Sequence, residues 1–398
     1  MAGRRVAPGA RHWVTAGARL WVAVVALLVA GLTPVAWSYG HALAAPGNDP
    51  LSIRSVEWLR DHNFAWLVND VENLWYSHHR PKKGGLPAGA LRSSLRPRTR
   101  AGGGAGKQRP GPQLRAHLPA PAPVAPIVAN PLPGEGQWSA LGQSVGGLPA
   151  MYGALLRPDK VHTSLVTAVA WMDPKLVRAV GYAGVVEPGG GPWQNQAPIP
   201  VSVRPQLVAT FNSGFKMRDA RGGYYADGKT VRSLRTGAAT LVIRPDGTPS
   251  VGQWGRDFQL GPDVAFARQN LALIVDGGQP APDLQTDNPA RWGATIGNRV
   301  LVWRSGVGVT ADGALVYAAG NGLSALSLAG VLARAGAVRA MELDINSRWV
   351  DFFTYGPPAP GAAPADVTVT KLSPDMRPPL NDYLTASSRD FIALLRRF

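Results

Sequence analysis

The first long pattern along the chain is an unbroken apolar run. Leu20 to Tyr39 reads LWVAVVALLVAGLTPVAWSY and contains no charge. A helix of about 20 such residues covers the hydrocarbon core of a bilayer. The pattern then changes. From Asp49 to Tyr76 apolar residues recur at helical spacing (Ile53, Val56, Leu59; Leu67, Val71, Leu74), with Trp58, Trp66 and Trp75 adding bulk and Asp49-Pro50 offering a helix start. His78 to Asn130 loses all periodicity and carries PKKGG, GGGAGK, RPGP and PAPAPVAPI, the composition of a disordered linker. From about Leu132 short β-prone runs take over: Leu165–Met172, Gln206–Phe211, Ala238–Ile243, Leu271–Val275, Val300–Trp303, Val338–Leu343 and Val350–Tyr355. Pro245-Asp246-Gly247, Asp276-Gly277-Gly278 and Ala311-Asp312-Gly313 punctuate them as turns. One helix is expected over Leu326–Ala335, where Leu328, Val331, Leu332 and Ala335 fall on one face, with Ser324 as N-cap and Gly336 as the stop.

These patterns predict an α+β fold, a β-rich mixed-sheet domain with few helices, preceded by a transmembrane helix and a linker. The expected divisions are 1–19 as a basic cytoplasmic tail, 20–40 as the anchor, 49–77 as a membrane-proximal helix, 78–130 as the linker and 131–398 as the folded domain. Charge sharpens the first of these. Arg4, Arg5, Arg11 and Arg19 precede the apolar run and no acid appears before Asp49, which orients the N-terminus to the cytoplasm and the rest outside it. Ala42-Leu43-Ala44 offers the alternative of a signal-peptide cleavage site, but the apolar run is longer than the usual h-region and favours an uncleaved anchor.

The net charge of +16 is uneven: residues 1–130 hold 16 Lys/Arg against 5 Asp/Glu. Because much of that charge sits in a Pro/Gly-rich tract rather than on folded elements with interleaved aromatics, nucleic acid is not the expected partner. The chain has no Cys, which excludes disulfides, thiolate chemistry and Cys-based zinc sites. His78-His79 lacks a nearby carboxylate, no cluster has metal-ligand spacing, and no cofactor is expected.

Candidate chemistry concentrates where two strand-like runs end. Met341-Glu342-Leu343-Asp344-Ile345-Asn346-Ser347-Arg348 places two carboxylates, an amide, a hydroxyl and a guanidinium together, and Phe211-Asn212-Ser213-Gly214-Phe215-Lys216 is a second polar cluster. Polar groups at strand ends are a common way to build a site on a rigid scaffold. Asp276, in Asp-Gly-Gly, reads as a turn residue, and Ser347 has no local His to activate it.

In this order, these pieces resemble the phosphodiester glycosidase family. The family's Asn-Gly-Gly-Phe-type motif is matched by Asn212-Ser213-Gly214-Phe215. A Gly-containing segment before a strand is matched by Arg235-Thr236-Gly237-Ala238, and a strand ending in a Gly turn by Leu271–Gly277. A Gly-rich approach to a helix is matched by Ala319-Gly320-Asn321-Gly322-Leu323-Ser324. A strand ending Leu-Asp-Gly-Gly-Gly-Ser is matched by Leu343-Asp344-Ile345-Asn346-Ser347. The similarity runs from about Met151 to Tyr355. Two departures stand out: the three glycines have become Ile345-Asn346-Ser347, followed by Arg348, and the family's Arg-Thr or Arg-Ser pair ahead of Ile/Val-Gly falls where this chain reads Trp292-Gly293-Ala294-Thr295-Ile296-Gly297, with Arg291 displaced by two residues.

The resemblance implies cleavage of a sugar–phosphate diester at the anomeric carbon, through an oxocarbenium-like state that needs a carboxylate, with cations to hold the phosphate. Asp344 is the first candidate carboxylate and Glu342 the second, with Asn212 binding substrate hydroxyls or orienting Asp344. Arg348, Arg235 and Lys216 are candidate phosphate contacts, and Asn346, Ser347 and Asn321 candidate substrate contacts. Gly320-Asn321-Gly322 ahead of a helix could present backbone N–H groups to an anion. The expected partners are a glycan or sugar phosphate and, through the N-terminal helix, a membrane. The expectation is a membrane-anchored hydrolase of envelope glycans. The alternatives are a domain of the same fold that binds anionic glycans without turnover, and a membrane-anchored scaffold.

Overall fold

A computed structural model describes residues 10–64, 81–87, 116–285, 289–293 and 300–398. The chain divides into two compact units, Met1–Val71 and Glu72–Phe398. In the first, a helix spans Ala10–Leu43, and its apolar stretch Trp21–Leu43, 23 residues of mean hydropathy 1.9, is long and apolar enough to cross a membrane. A second helix, Leu51–Asp61, follows. Arg54 joins the two, donating to the carbonyl of Leu43 at 2.6 Å, an orphan group at the end of the first helix, and to that of Asp49 in the connection at 2.9 Å. Within the span expected as a membrane-proximal helix, 49–77, the described helix ends at Asp61 and Asn63 takes φ 64, a conformation that breaks α-helical geometry. Trp66, Trp75 and His78-His79 lie outside the described residues.

The second unit is β-rich. An eight-stranded sheet runs in the order Ser139–Ala140, Met151–Leu156, Thr167–Met172, Leu315–Leu323, Val302–Thr310, Ala337–Glu342, Leu273–Asp276, Gln279–Pro280. A five-stranded sheet orders Pro249–Gln253, Ala239–Ile243, Phe266–Gln269, Tyr224–Ala226, Lys229–Arg232, and another orders Val367–Lys371, Phe352–Pro358, Leu207–Asn212, Phe391–Arg396, Val177–Tyr182. The strand ladders of these three sheets are antiparallel.

The central strands read as continuous apolar runs because both of their faces are covered. Along Thr167–Met172, Val169 and Trp171 pack with Leu328, Val331 and Leu332 of the helix Ala325–Arg334, while Ala170 and Met172 join a core shared with Leu241, Phe211, Phe352 and Ile392 of the other sheets. The helix needs room to settle. A Cβ at Gly306 would stand 3.0 Å from Leu332 Cδ1 and 2.9 Å from the Met341 carbonyl, so a side chain there would lift the helix from the sheet.

Most expected strands shift by a residue or two, which is the usual uncertainty of element ends. Two differences are larger. The strand expected as Val300–Trp303 is Val302–Thr310, and Gly320-Asn321-Gly322, expected as a Gly-rich approach to the helix, lies inside the strand Leu315–Leu323. A Cβ at Gly320 would come within 3.0 Å of the Val166 carbonyl on the adjacent strand, so this glycine serves close strand approach.

Candidate active site

The two strand tips meet at a serine. Asn212 ends Leu207–Asn212 in one five-stranded sheet, and Asp344 lies two residues beyond Ala337–Glu342 in the eight-stranded sheet. Ser305, on Val302–Thr310, stands between them: Asn212 Nδ2 donates to Ser305 Oγ at 3.1 Å, and the Asp344 backbone N–H donates to the same oxygen at 3.2 Å. The Ser305 backbone holds the other side of the junction, its N–H donating to the Asp344 carbonyl at 2.9 Å and its carbonyl accepting from Leu343 N–H at 2.8 Å. The Tyr317 hydroxyl lies 3.1 Å from Asn212 Oδ1 and 2.8 Å from the Asp351 carbonyl, sharing its proton between them, and Ser305 Oγ also stands 3.3 Å from Asn212 Oδ1. Asn212 is thereby oriented with its oxygen as acceptor and its nitrogen as donor.

Asp344 is buried, and its carboxyl is divided in use. Oδ1 accepts the backbone N–H groups of Ile345 at 2.8 Å and Asn346 at 2.9 Å, while Oδ2 faces Arg389 Nη2 at 3.3 Å. Burial pushes this carboxyl up to about 6, against the opposing pull of Arg389 and the two backbone donors. A carboxyl that titrates near neutrality can hold or release a proton at working pH. Arg389 precedes the strand Phe391–Arg396, whose Phe391 pairs with Asn212, so the ladder itself brings the cation to the acid.

Glu342 takes a different position. It is fully buried and paired with Arg304, whose Nε and Nη1 also reach the carbonyls of Leu323 at 2.9 Å and Trp292 at 3.0 Å. Burial raises its carboxyl, with Arg304 opposing. The same arginine corrects the expectation of a missing pair. Arg304-Ser305-Gly306-Val307-Gly308 is an Arg-Ser pair just ahead of Val-Gly, and its two side chains meet Glu342 and the Asn212–Asp344 junction. Residues 294–297 lie outside the described residues.

The other sequence candidates scatter. Arg348 comes to the site's edge: it pairs with Asp382 at 2.9 Å, and its guanidinium lies 4.6 Å from the Trp349 ring, as does that of Arg389. Asn346 shapes the turn, its side chain accepting from Arg348 N–H at 2.9 Å and its carbonyl from Trp349 N–H at 2.8 Å. Ser347 is half-buried on that turn. Lys216 is half-buried, and its carbonyl closes the turn to Asp219 and Ala220. Arg235 is exposed, held by its backbone to the Gln269 side chain at 2.8 and 3.1 Å. Asn321 is exposed on its strand, and the helix start beside it is occupied by its own capping box, Ser324 and Ser327 each accepting the other's backbone N–H. That reciprocity uses two of the donors an anion would need. Asp276 sits in its hairpin, paired with Arg256 at 2.6 Å.

Residues not anticipated complete the surroundings. Asp351 is buried and accepts the Tyr383 hydroxyl at 2.7 Å; burial first, and then the like charge of Asp382, raise its carboxyl well above the usual range. Asp390 accepts Arg268 Nε at 2.7 Å and the Ser213 hydroxyl, tying the Asn212-Ser213 tip to the C-terminal strand. The only sequence signal for this segment is the polar run Ser387-Ser388-Arg389-Asp390 directly before an apolar strand.

The site is closed. The Asp344 side chain is 2% exposed. Ile345, standing where the resembled family has glycine, packs with Phe215, Ala220 and Leu271. A cavity of about 560 Å³ lies against Thr230, Ser233, Thr236, Trp254 and Gln259, and one of about 210 Å³ lies around Arg178, Asp227 and Asp246; neither is lined by Asn212, Asp344 or Arg389. Among the described residues no group of three His, Asp or Glu side chains is placed to hold a metal.

The phosphodiester glycosidase family model matches residues 205–344. No curated protein matches the chain. Among solved structures, the chain is similar to the zebrafish N-acetylglucosamine-1-phosphodiester alpha-N-acetylglucosaminidase catalytic domain auto-inhibited by pro-peptide, at 16% identity over 66% of this chain and 88% of that one, with a TM-score of 0.41. It is also similar to a hypothetical protein from Synechocystis, at 11% identity over 65% of this chain and 64% of that one, with a TM-score of 0.36.

Proposed function

Residues 205–344 belong to the phosphodiester glycosidase family, and from that premise we propose that this protein hydrolyses a sugar-1-phosphodiester, with Asp344 as its working carboxyl and the N-terminal helix holding it at a membrane. The observation that carries the reading is the Asn212–Ser305–Asp344 junction beside Arg389. In the reaction, the bond between the anomeric carbon and the phosphate oxygen breaks and the phosphomonoester leaves with the electron pair. Water adds to the anomeric carbon and gives its proton to Asp344. The leaving phosphate is a weak base and needs little protonation, so the demand falls on a carboxylate that steadies the oxocarbenium-like state and takes a proton. Asn212 contributes a fixed amide to a sugar hydroxyl or to the carboxylate.

A base must be deprotonated to act. With the Asp344 carboxyl at about 6, kcat/KM is expected to rise with pH through that region and to level above it. The direct test is release of free sugar from a synthetic N-acetylglucosamine-1-phosphodiester by the full chain across pH 4–8. Saturable binding of the diester with no release at any pH would replace hydrolysis by the reading of a glycan-binding domain.

The closure of the site restricts access for any ligand and supplies its own test. Ile345→Gly keeps the backbone N–H that Asp344 accepts and removes the side chain packed on Phe215. If Ile345 limits access, the variant should raise kcat/KM severalfold while losing about 1–2 kcal/mol of stability from the lost burial. An unchanged or lower kcat/KM would count against access as the limit.

A further inference from the structure

We propose that Arg389 is the phosphate-binding group of this site and that its pairing with Asp344 is the ligand-free arrangement of a subsite made for a phosphoryl group. The proposal rests on the hydrolase reading for the identity of the anion, but the geometry stands on its own. Arg389 is 8% exposed, and it uses one nitrogen, Nη2, to reach Asp344 at 3.3 Å. Its Nε and Nη1 have no hydrogen-bond partner among the described residues. A buried guanidinium with two idle nitrogens is costly, and such groups in native proteins call for a ligand, an ion or water.

The surroundings suit an anion. The Arg389 guanidinium lies 4.6 Å from the Trp349 ring, packing that fixes the plane of the group without consuming its N–H donors. Its backbone is anchored on both sides: Ser388 accepts at its carbonyl from Glu187 N–H at 2.9 Å, and Asp390 is held by Arg268 at 2.7 Å. The Arg389 side chain keeps 10% of its surface open, against 2% for Asp344, so a ligand meets the cation before the acid. A planar, pre-oriented guanidinium with unused donors is the group that recognises phosphoryl oxygens. Arg389 itself lies outside the family-matched segment, just ahead of the strand Phe391–Arg396.

Inorganic phosphate is the probe, titrated calorimetrically into the full chain. Wild type should bind it saturably. Arg389→Gln should weaken binding by about tenfold or more, and Arg389→Lys, which keeps the charge but loses the planar donor set, should fall between. Asp344→Asn, which removes the competing carboxylate, should bind phosphate as tightly as wild type or more tightly. In turnover, Arg389→Gln should raise KM for the diester more than it lowers kcat, and should move the acidic limb to higher pH because the cation no longer favours the charged form of Asp344. Phosphate binding unchanged in both Arg389 variants would overturn the proposal even if the diester is hydrolysed. Phosphate binding lost with Arg389 in a chain that releases no sugar would uphold the subsite and reject the hydrolase.

Discussion

Asp344→Asn is expected to reduce sugar release by about a thousandfold or more, equivalent to about 4 kcal/mol of transition-state stabilisation. The substitution is a fair test because it leaves the local frame intact. An asparagine at this position still offers one oxygen to the N–H groups of Ile345 and Asn346, at 2.8 and 2.9 Å in the native chain. The backbone link to Ser305 does not involve the side chain at all. What disappears is the charge and the ability to accept a proton, the two properties the reaction demands. The assay is single-turnover release of free sugar, with diester binding measured in parallel to separate lost chemistry from lost affinity. A variant retaining a tenth or more of wild-type kcat would remove Asp344 from the centre of the mechanism.

The parts of this arrangement that could be read from the chain are the parts written locally. Asn212 and Asp344 each close an apolar run with a polar cluster, and both tips arrive at one serine. The capped helix was equally plain, since Ser324 and the Leu328, Val331, Leu332 stripe carry a complete helical signature. Ser305 was not, because it lies 39 residues before Asp344 and only sheet pairing brings them together. It carries no local mark beyond the Arg304-Ser305 pair before Val-Gly. Arg389 is harder still: it lies 45 residues beyond Asp344, just ahead of a strand whose place beside Asn212 is a matter of register. Gly320-Asn321-Gly322 has turn composition, yet tertiary crowding needs the small residue in a strand at Gly320, and packing there overrides local preference.

Arg268→Met is expected to cost about 3–5 kcal/mol of folding stability, because it strands a buried carboxylate. Arg268 is completely buried and Asp390 nearly so. Their link at 2.7 Å is supported by a second contact at 3.4 Å, and the arginine also donates to the carbonyls of Gln269 at 2.8 Å and of Phe215. Methionine approximates the aliphatic stem, so the loss is one of charge and hydrogen bonds more than of volume. Without Arg268, Asp390 keeps the Ser213 hydroxyl but has lost the cation that balanced its burial. Removing both charges is a different matter: Arg268→Met with Asp390→Leu should cost less than the sum of the single changes, since no unpaired charge is left inside. Urea unfolding of the four proteins at pH 7 gives the coupling directly. Near-additive costs, or a loss below about 1 kcal/mol for Arg268→Met, would mean that the pair does not anchor this region. The consequence for the site follows from adjacency in the chain. Asp390 fixes the backbone that carries Arg389 and, through Ser213, the tip that carries Asn212. A folded remnant of Arg268→Met should therefore show a raised KM and a displaced acidic limb, since both the cation and the amide facing Asp344 would have lost their shared anchor.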